Sequence, residues 1–577
     1  MGSSKRLIIG IIVCLVSCAG AVEAQTTKKA RGATPPPQQR GLSIQKLRAA
    51  ALANPRNAEA RNALGLALGK SGQLNPAVAE FREAIALKPD YLDAWTNLGV
   101  ALEQKGDLEG ALEAFRKAAE LNPNDAELRI SLGSLLHRQQ KLDEAIAEFR
   151  YAAKLKPDSA ETHANLGFIL AQLGDLEGSM KSFEEAIKVK PDLAEAHYFL
   201  GNGKLLMGDL ASAIASLREA VRLKPNDDRS LQALGVALLR RSTPADVAEA
   251  VVVMRRAVKL KPQSADALTS LGVALRESGE AEESMSVLRE AVKLKPSMIE
   301  ARNNLGLSLL AMRSYDAAIA EFQEAIKLDD QSAPAHLNLG LALMQKGDIA
   351  GAIGAYQKMI GFAPDHAGAY YNLALAYRRK DDFDAAIETL RKLIMMQPDF
   401  ADAHFTLGEI YVQQGKFEEA RPELSEAVRL KPDDAEARYA LGNVMQRKGE
   451  TDAAIAEFRT AIKLAPGNPE FHDSLGAALR QKGEADAARA ELQEAARLIK
   501  VRQDREAALA AVNTGVQRLK EGRLDEAVER FEAAVKLDPE SAQAWLQLSA
   551  ALKKKGQIAA SQEALRRAVE LDPKSRK

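Results

Sequence analysis

A 34-residue repeat runs through most of this 577-residue chain and limits what it can fold into. In fifteen copies repeat position 8 is a small residue, and thirteen of these residues are glycine. Position 20 is always alanine or serine, while position 27 is alanine and position 32 is proline in thirteen copies each. This period predicts stacked helical hairpins, since each copy must bury its apolar face against its neighbours. Position 8 falls at residues 65, 99, 133, 167, 201, 235, 272, 306, 340, 374, 408, 442, 476, 515 and 549.

The copy from residue 92 to 125 shows the physical meaning of these columns. Leucines recur at helical spacing on both sides of Gly106 and Asp107, which predicts two amphipathic helices joined by a turn. Gly99 and Ala118 carry little or no side chain, so the two helices can approach closely. Pro123 is predicted to end the second helix, because proline cannot donate the backbone hydrogen bond that would continue it.

Charged residues mark the predicted helix ends. Asp158 stands three residues before Glu161, and this spacing predicts a capping box at the start of a first helix. Acidic residues at position 2 and lysines at position 31 are predicted to complement the dipoles of the two helices. Much of the charge is therefore interpreted as structural.

The four columns resemble those of the tetratricopeptide repeat family, as in DAWTNLGVALEQKGDLEGALEAFRKAAELNP from Asp93 to Pro123. The resemblance begins at Ala58 and covers about nine-tenths of the chain. It implies an all-α fold, an α-α superhelix or solenoid of about fifteen helix-turn-helix repeats. It also implies a concave groove, lined mainly by the first helices, that holds other proteins.

Composition and motifs argue against several classes of function. Lysine plus arginine equals aspartate plus glutamate at 79 each, so no overall charge attracts nucleic acid or an anionic membrane. Residues 65–71 look like a phosphate-binding loop, but three residues separate the glycines where that motif needs four. HExxH, GxSxG and GxGxxG motifs do not occur in the sequence. We therefore expect no enzymatic activity and no cofactor.

The N-terminus predicts export from the cytoplasm, since Lys5 and Arg6 precede an apolar run from residue 7 to 16. Two processing routes stay open. Cleavage after Ala24 would remove a signal peptide of residues 1–24, whereas a lipoprotein signal of residues 1–17 would leave Cys18 as a lipidated N-terminus. The two routes predict a periplasmic protein and a protein anchored by lipid to the cell envelope, respectively.

Beyond this signal the sequence predicts four segments: a disordered linker at 25–42, a capping half repeat at 43–57, repeats 1–13 at 58–503 and repeats 14–15 at 504–577. A 37-residue spacing between Gly235 and Gly272 predicts one longer second helix. A 39-residue spacing between Gly476 and Gly515 predicts one long helix that joins repeats 13 and 14, with a kink or offset there. The chain stops just after a second helix, so the last repeat is expected to expose apolar surface for a partner or a second copy.

Histidine is concentrated at one repeat position. Successive repeats lie on the order of 10 Å apart, too far for shared metal ligation at about 2 Å per bond. We interpret these side chains as packing between helices, and no metal site is predicted. The five histidines at position 4 are His163, His197, His336, His404 and His472.

Asparagine recurs at position 6 of three consecutive repeats, as Asn304, Asn338 and Asn372. This ladder resembles that of the O-linked N-acetylglucosamine transferases, whose asparagines hold a peptide backbone. An amide can donate and accept, so it can bind an extended peptide without reading its sequence. The alternative is that asparagine only follows the family consensus here.

Aromatic and arginine side chains accompany the ladder. Tyr371, Phe405 and Tyr439 occupy position 5 of three successive repeats, with Arg378 and Arg379 nearby on the first of the three helices. Such residues are the usual anchors of interfaces. We predict that repeats 8 to 12, about residues 299 to 465, form the main peptide-binding groove; the alternative is a general packing role.

The sequence as a whole favours an exported, non-enzymatic scaffold that binds peptide segments or partner proteins in its groove. The alternative is a substrate-presenting accessory subunit of a glycosyltransferase or of a secretion or envelope assembly system. The predicted partners are proteins or peptides and exclude nucleic acid. Contact with a membrane is expected only through a lipid on Cys18, and self-association only through the uncapped C-terminal repeat.

Overall fold

The computed structural model describes residues 43–572, and this part of the chain contains 30 α-helices and no strand. The all-α repeat fold is confirmed. The helices are α1 (Ile44–Ala53), α2 (Ala58–Lys70), α3 (Leu74–Leu87), α4 (Leu92–Lys105), α5 (Leu108–Leu121), α6 (Ala126–Arg138), α7 (Leu142–Leu155), α8 (Ala160–Gln172), α9 (Leu176–Val189), α10 (Ala194–Leu206), α11 (Leu210–Leu223), α12 (Asp228–Arg241), α13 (Pro244–Leu260), α14 (Ala265–Glu277), α15 (Ala281–Leu294), α16 (Ile299–Ala311), α17 (Tyr315–Leu328), α18 (Ala333–Lys346), α19 (Ile349–Phe362), α20 (Ala367–Arg379), α21 (Phe383–Met396), α22 (Ala401–Gln413), α23 (Phe417–Leu430), α24 (Ala435–Arg447), α25 (Thr451–Leu464), α26 (Pro469–Lys482), α27 (Ala485–Lys520), α28 (Leu524–Leu537), α29 (Ala542–Lys554) and α30 (Ile558–Leu571).

The chain divides into two compact units, one ending at Leu328 and the other beginning at Asp329. The boundary falls where Asp330 replaces the usual proline at position 32. Within each unit, the two helices of a repeat form a hairpin that packs on the next hairpin. The first helices of neighbouring repeats also contact one another, more than the second helices do. Each unit therefore bends so that its first helices line an inner face.

The small-residue columns lie where the helices of a hairpin cross. Ala111 and Ala118 are fully buried in α5, in front of Gly99 on α4. A methyl group added at Gly99 would lie 2.9 Å from the Phe115 ring, closer than atoms tolerate. The predicted role of the columns in close helix packing is confirmed.

Helix starts differ by one residue from the predicted capping box. Helix α8 begins at Ala160, and its cap is Ser159, whose side chain accepts a hydrogen bond from the Thr162 amide. Ser159 has the extended backbone that an N-cap needs, whereas the prediction placed the cap at Asp158. That prediction was wrong, because the turn after the proline is one residue longer than assumed.

Charges at the helix ends pair with each other. Lysine at position 31 reaches the acidic residue at position 2 of the same repeat, as in Lys156 to Glu127 at 2.8 Å and Lys431 to Asp402 at 2.6 Å. These pairs join the end of a second helix to the start of its first helix. They lie in solvent, so each contributes at most about 1 kcal/mol.

In ten of the described repeats the position-4 side chain forms a hydrogen bond with a carbonyl of the turn before its first helix. The Trp95 indole nitrogen donates to the Pro89 carbonyl at 2.9 Å, and the Arg302 Nε donates to the Pro296 carbonyl at 2.9 Å. In six of the described repeats the same residue also pairs with a glutamate 19 residues later, as Arg302 does with Glu321 at 2.9 Å.

The five position-4 histidines make the same hydrogen bond. Each places Nε2 between 2.9 and 3.2 Å from the carbonyl oxygen six residues earlier. Since a carbonyl only accepts, Nε2 carries the proton. From residue 43 to 572, no group of histidine, cysteine, aspartate or glutamate is arranged to hold a metal ion. The histidines thus hold turns, which adds a hydrogen-bonding reason to the predicted packing.

Both predicted irregularities are confirmed as helices. Helix α13 has 17 residues and starts after Thr243, which exchanges hydrogen bonds with the buried Asp246. Arg241 donates twice to the same carboxylate, and these bonds, with that of Thr243, hold the pKa of Asp246 far below its usual value. Helix α27 runs for 36 residues without a break.

Helix α1 lies in the segment predicted as a half repeat, and it packs on α2 through the buried Leu47 and Ala51. The predicted signal, its Cys18 and the linker lie outside the described residues, as do the last five residues of the chain. None of the helices in the described part combines the length and apolar character that a membrane span requires.

Candidate functional site

The inner face of the second unit carries a line of contacts between successive first helices. The Tyr371 hydroxyl lies 3.4 Å from Thr406 Oγ1, and Ser474 Oγ donates to the Tyr439 hydroxyl at 3.3 Å. In both pairs position 5 of one repeat meets position 6 of the next, 35 residues along the chain. This register fixes where position-5 side chains stand.

The three predicted aromatic anchors are half-buried on this face. The Tyr371 ring lies 5.4 Å from Phe400, and Phe405 packs against the same apolar cluster. Tyr439 lies 4.8 Å from Phe471 and belongs to a separate cluster. Each ring therefore packs against the core on one side and is exposed to solvent on another.

The three asparagines of the predicted ladder make different contacts. Asn304, in the first unit, is buried; its Oδ1 accepts from Arg276 at 3.0 Å and its Nδ2 donates to the Glu300 carbonyl. In the second unit Asn372 donates to the Gly368 carbonyl at 2.8 Å, while Asn338 is half-buried and also engaged. Intramolecular bonds thus occupy much of the amide capacity that the prediction assigned to a peptide.

The two predicted arginines belong to the same face but differ in their partners. Arg378 pairs with Glu409 of the next first helix at 2.9 Å, and about a third of each side chain is exposed. Arg379 is more exposed and donates to the Met344 carbonyl of the preceding repeat at 3.2 Å. Arg378 therefore neutralises the charge of Glu409 on this face.

Carboxylates further along the face lack such cations. Burial raises the pKa of Glu436, and the negative charges of Glu470, Asp434 and Glu409 raise it further. Glu436 accepts a long hydrogen bond, 3.4 Å, from Asn468. Glu436 thus lies one helix turn before Tyr439 on the same helix, with Glu470 near it at position 2 of the next repeat.

Sequence reasoning missed this acidic stretch, although a signal was present. Position 31 is Ala465 in the repeat of Glu436 and Ile499 in the repeat of Glu470. A lysine at position 31 pairs with the position-2 acid in four other repeats and is absent from both, as it is from the repeats of Asp93 and Glu300. The missing lysine, not the presence of the acid, marks the two carboxylates as free.

A second feature missed in the sequence lies in the first unit. The rings of His137, Phe168 and Phe199 meet edge to face, with 5.7 Å between successive centroids. They occupy positions 12, 9 and 6 of consecutive repeats, a diagonal across the inner face. Phe168 and Phe199 are buried, so this diagonal fills the face of the first unit with core packing.

Family models match much of the chain. Tetratricopeptide repeat models match residues 63–126, 114–147, 133–174, 169–203, 194–227 and 518–577. The chain is a tetratricopeptide-repeat protein. Within the remaining repeats, a model of the cilia and flagella-associated protein 70 C-terminal domain matches residues 330–522, and one of the anaphase-promoting complex, cyclosome, subunit 3 matches residues 245–325.

Three solved structures are similar to parts of this tetratricopeptide-repeat protein, all with low TM-scores. Yeast Tom70 is 17% identical over 76% of this chain and 96% of its own, with a TM-score of 0.39. YrrB, described as a TPR protein with an unusual peptide-binding site, is 21% identical over 33% of this chain and 98% of its own, with a TM-score of 0.31. MamA is 28% identical over 29% of this chain and 92% of its own, with a TM-score of 0.28. No curated protein matches the chain by sequence.

Proposed function

We propose that this tetratricopeptide-repeat protein is a non-catalytic scaffold that holds an extended peptide segment on the inner face of its second unit. The observation that carries the proposal is the half-exposed row of Tyr371, Phe405 and Tyr439. Rigid aromatic rings that are already held by core contacts lose little conformational entropy when they bind a partner. Such rings are frequent anchors of protein interfaces.

The partner segment is basic. Glu436 and Glu470 lack the lysine that pairs with the corresponding acid in other repeats, and their mutual repulsion supports the raised pKa of Glu436. A lysine or arginine of the partner would relieve this repulsion and could stack on the nearby Tyr439 ring. Arg379, which bonds to the Met344 carbonyl at the other end of the row, would repel a second cation, so the segment would bind in one direction.

A labelled ten-residue peptide of lysine, leucine and glycine tests the proposal, with a matched peptide that carries glutamate in place of lysine. Fluorescence anisotropy should show binding of the lysine peptide and about tenfold weaker binding after Glu436→Gln with Glu470→Gln, since a lost charge-assisted hydrogen bond costs about 1.5 kcal/mol or more. Stronger binding of the glutamate peptide would contradict the proposal.

Two further variants separate the charge from the rings. Leucine in place of all three aromatic anchors keeps apolar packing but removes the ring faces, so the lysine peptide should bind more weakly while circular dichroism stays helical. Glu290→Gln with Glu324→Gln changes the same net charge on second helices of the first unit, where both glutamates pair with lysines. This control should leave the affinity unchanged.

Export is a separate part of the proposal and rests on the N-terminal sequence alone. Lys5, Arg6 and the apolar run that follows support a signal, and Cys18 supports a lipid anchor. Mass spectrometry of the mature N-terminus distinguishes a chain that starts at Gln25 from one that starts at an acylated Cys18. An intact, unprocessed N-terminus would contradict export by either route.

A further inference from the structure

A cavity of about 260 Å³ opens in the second unit, away from the row of aromatic anchors. It lies between second helices α19 and α21 and beside first helix α20. We call it the Tyr370 pocket. Its lining residues are Gln357, Ile360, Tyr370, Leu373, Tyr377, Ala385, Glu388, Thr389 and Lys392. A cavity of roughly 150 Å³ holds one benzene, so this volume suits a ring with a short polar tail.

The pocket lies where position 4 departs from the pattern of the two neighbouring repeats. In the repeats before and after, His336 and His404 bind the carbonyl of the preceding turn. Tyr370 stands at that position, and its hydroxyl has no hydrogen-bond partner among residues 43–572. Thr389 stands where six other repeats have a glutamate that pairs with position 4, and its hydroxyl donates to the Ala385 carbonyl at 2.7 Å. The tie between first helix and turn is therefore missing, and space remains.

The polar groups at the rim are mostly donors. The Tyr377 hydroxyl accepts from Gln357 Nε2 at 2.9 Å and keeps its own proton to donate. Lys392 gives one of its three N–H groups to Glu388 at 2.7 Å, in a pair whose side chains are 59% and 70% exposed. Such an exposed pair contributes at most about 1 kcal/mol, so it does not block Lys392 from a further acceptor. The Tyr370 hydroxyl is a third free donor.

We propose that the Tyr370 pocket binds a small carboxylic acid with an apolar body, independently of the peptide on the inner face. Ile360, Leu373 and Ala385 provide the apolar wall for the body. Lys392, Tyr370 and Tyr377 provide donors for the carboxylate. Glu388 balances the charge of Lys392, so the preference for an anion rests on the two tyrosine hydroxyls and the remaining N–H groups of Lys392.

The probe is 3-phenylpropanoate, titrated into the full chain by isothermal titration calorimetry and followed by saturation-transfer NMR. The matched probes are 3-phenylpropanol and 3-phenylpropylammonium, which keep the ring and change the charge. The proposal expects the carboxylate to bind most tightly and the ammonium most weakly. Equal binding of the three probes, or a preference for the ammonium, would overturn it.

Variants show whether the bound probe occupies this pocket. Lys392→Gln should weaken 3-phenylpropanoate about tenfold, and Tyr370→Phe, which keeps the ring, should weaken it a few-fold, by the usual contributions of charged and neutral hydrogen bonds. Ala385→Leu should abolish binding by filling the space. The control is Lys327→Gln, which breaks an exposed lysine–glutamate pair of the first unit. Unchanged affinity in Lys392→Gln and Ala385→Leu, both helical by circular dichroism, would place the probe elsewhere and overturn the proposal.

A free acid and a protein segment could both supply this chemistry. A blocked peptide that contains adjacent phenylalanine and glutamate residues is the probe that distinguishes a protein segment from a free acid. We propose the free acid, because a volume of 260 Å³ suits one ring with a short polar tail. Binding of the peptide more tightly than of 3-phenylpropanoate would contradict this choice.

Discussion

The inner faces of the two units use aromatic side chains in opposite ways. In the first unit Phe168 and Phe199 are buried and pack edge to face, so the rings complete a core. In the second unit Tyr371, Phe405 and Tyr439 are half-buried and keep an open side. The difference comes from register: a diagonal of positions 12, 9 and 6 brings rings together, whereas a column at position 5 spaces them one repeat apart. Aromatic content alone therefore does not reveal a binding face.

The irregular hairpins of the two units differ in the same way: the one in the first unit is packed, and the one in the second unit is partly solvated. The longer helix α13 of the first unit is fixed at its start by the buried Asp246 with Arg241 and Thr243. The long helix α27 of the second unit buries residues only near its two ends, from Ala488 to Ala495 and from Ala508 to Gly515. The irregular helix of the first unit is thus stabilised by buried polar contacts. The irregular helix of the second unit has a solvated middle between two packed segments.

The largest effect is expected from truncating a ring in the first unit. Phe199→Ala should lower the stability of that unit by about 3–5 kcal/mol, as for other buried phenylalanines. Phe405→Ala in the second unit should cost clearly less, because the ring is half-exposed in the native state. Hydrogen–deuterium exchange read separately for each unit makes the measurement. Equal losses would show that the second face is as much a core as the first.

Asp246→Asn should also destabilise the first unit, by less than Phe199→Ala. The folded pKa of Asp246 is lowered by its bonds to Arg241 and Thr243, so its contribution is fully present above the unfolded value of about 3.9 and declines as pH falls below it. The difference in Tm between variant and parent should therefore be large at pH 7 and shrink toward pH 3. A difference independent of pH would contradict the charge pairing. Asp316→Asn serves as a control, because Asp316 lies in the first turn of α17 and is not part of this cluster.

The repeat columns predicted the fold from the sequence because each column has one physical task that every copy repeats. Gly99 and Ala118 had to be small, and Pro123 had to end a helix, whatever the partner of the array. The site was predictable only in part. The position of Tyr371 in a column was visible, but its half-burial depends on contacts with the Phe400 ring and with the Thr406 hydroxyl, which lies 35 residues further along the chain.

Other features of the site depend on residues that are absent. The acidic stretch arises because Ala465 and Ile499 stand where seven other repeats have lysine. The Tyr370 pocket lies where Tyr370 and Thr389 replace the histidine and glutamate that pair in the following repeat. The engagement of Asn304 by Arg276 could not be predicted either, since it depends on the side-chain geometry of a neighbouring repeat. A deviation from the periodic pattern can be interpreted only when the structure shows which neighbouring side chains it leaves unpaired.

The affinity of the lysine peptide for the second face should depend on pH through Glu436. Its folded pKa is raised, by burial first and then by Glu470, Asp434 and Glu409, so it loses its charge at a higher pH than an ordinary glutamate. Affinity should be full above this raised value and fall as pH drops through it, measured by anisotropy between pH 7 and pH 4. In Glu436→Gln the fall should begin at lower pH. The same pH profile in both proteins would remove Glu436 from the site.

The smallest effect is expected from Lys431→Met, and it distinguishes stability from binding. The pair with Asp402 is 47% exposed on both sides, so its loss should change stability by no more than about 0.5 kcal/mol. It would, however, leave a third position-2 carboxylate unpaired on the inner face of the second unit, and the lysine peptide should bind about two- to threefold more tightly, the effect of one exposed charge contact. Lys156→Met breaks the equivalent pair with Glu127 in the first unit and should change neither quantity beyond error. If both variants raise the affinity alike, the peptide responds to net charge and not to the second face. The proposed difference between the two units in peptide binding would then be wrong.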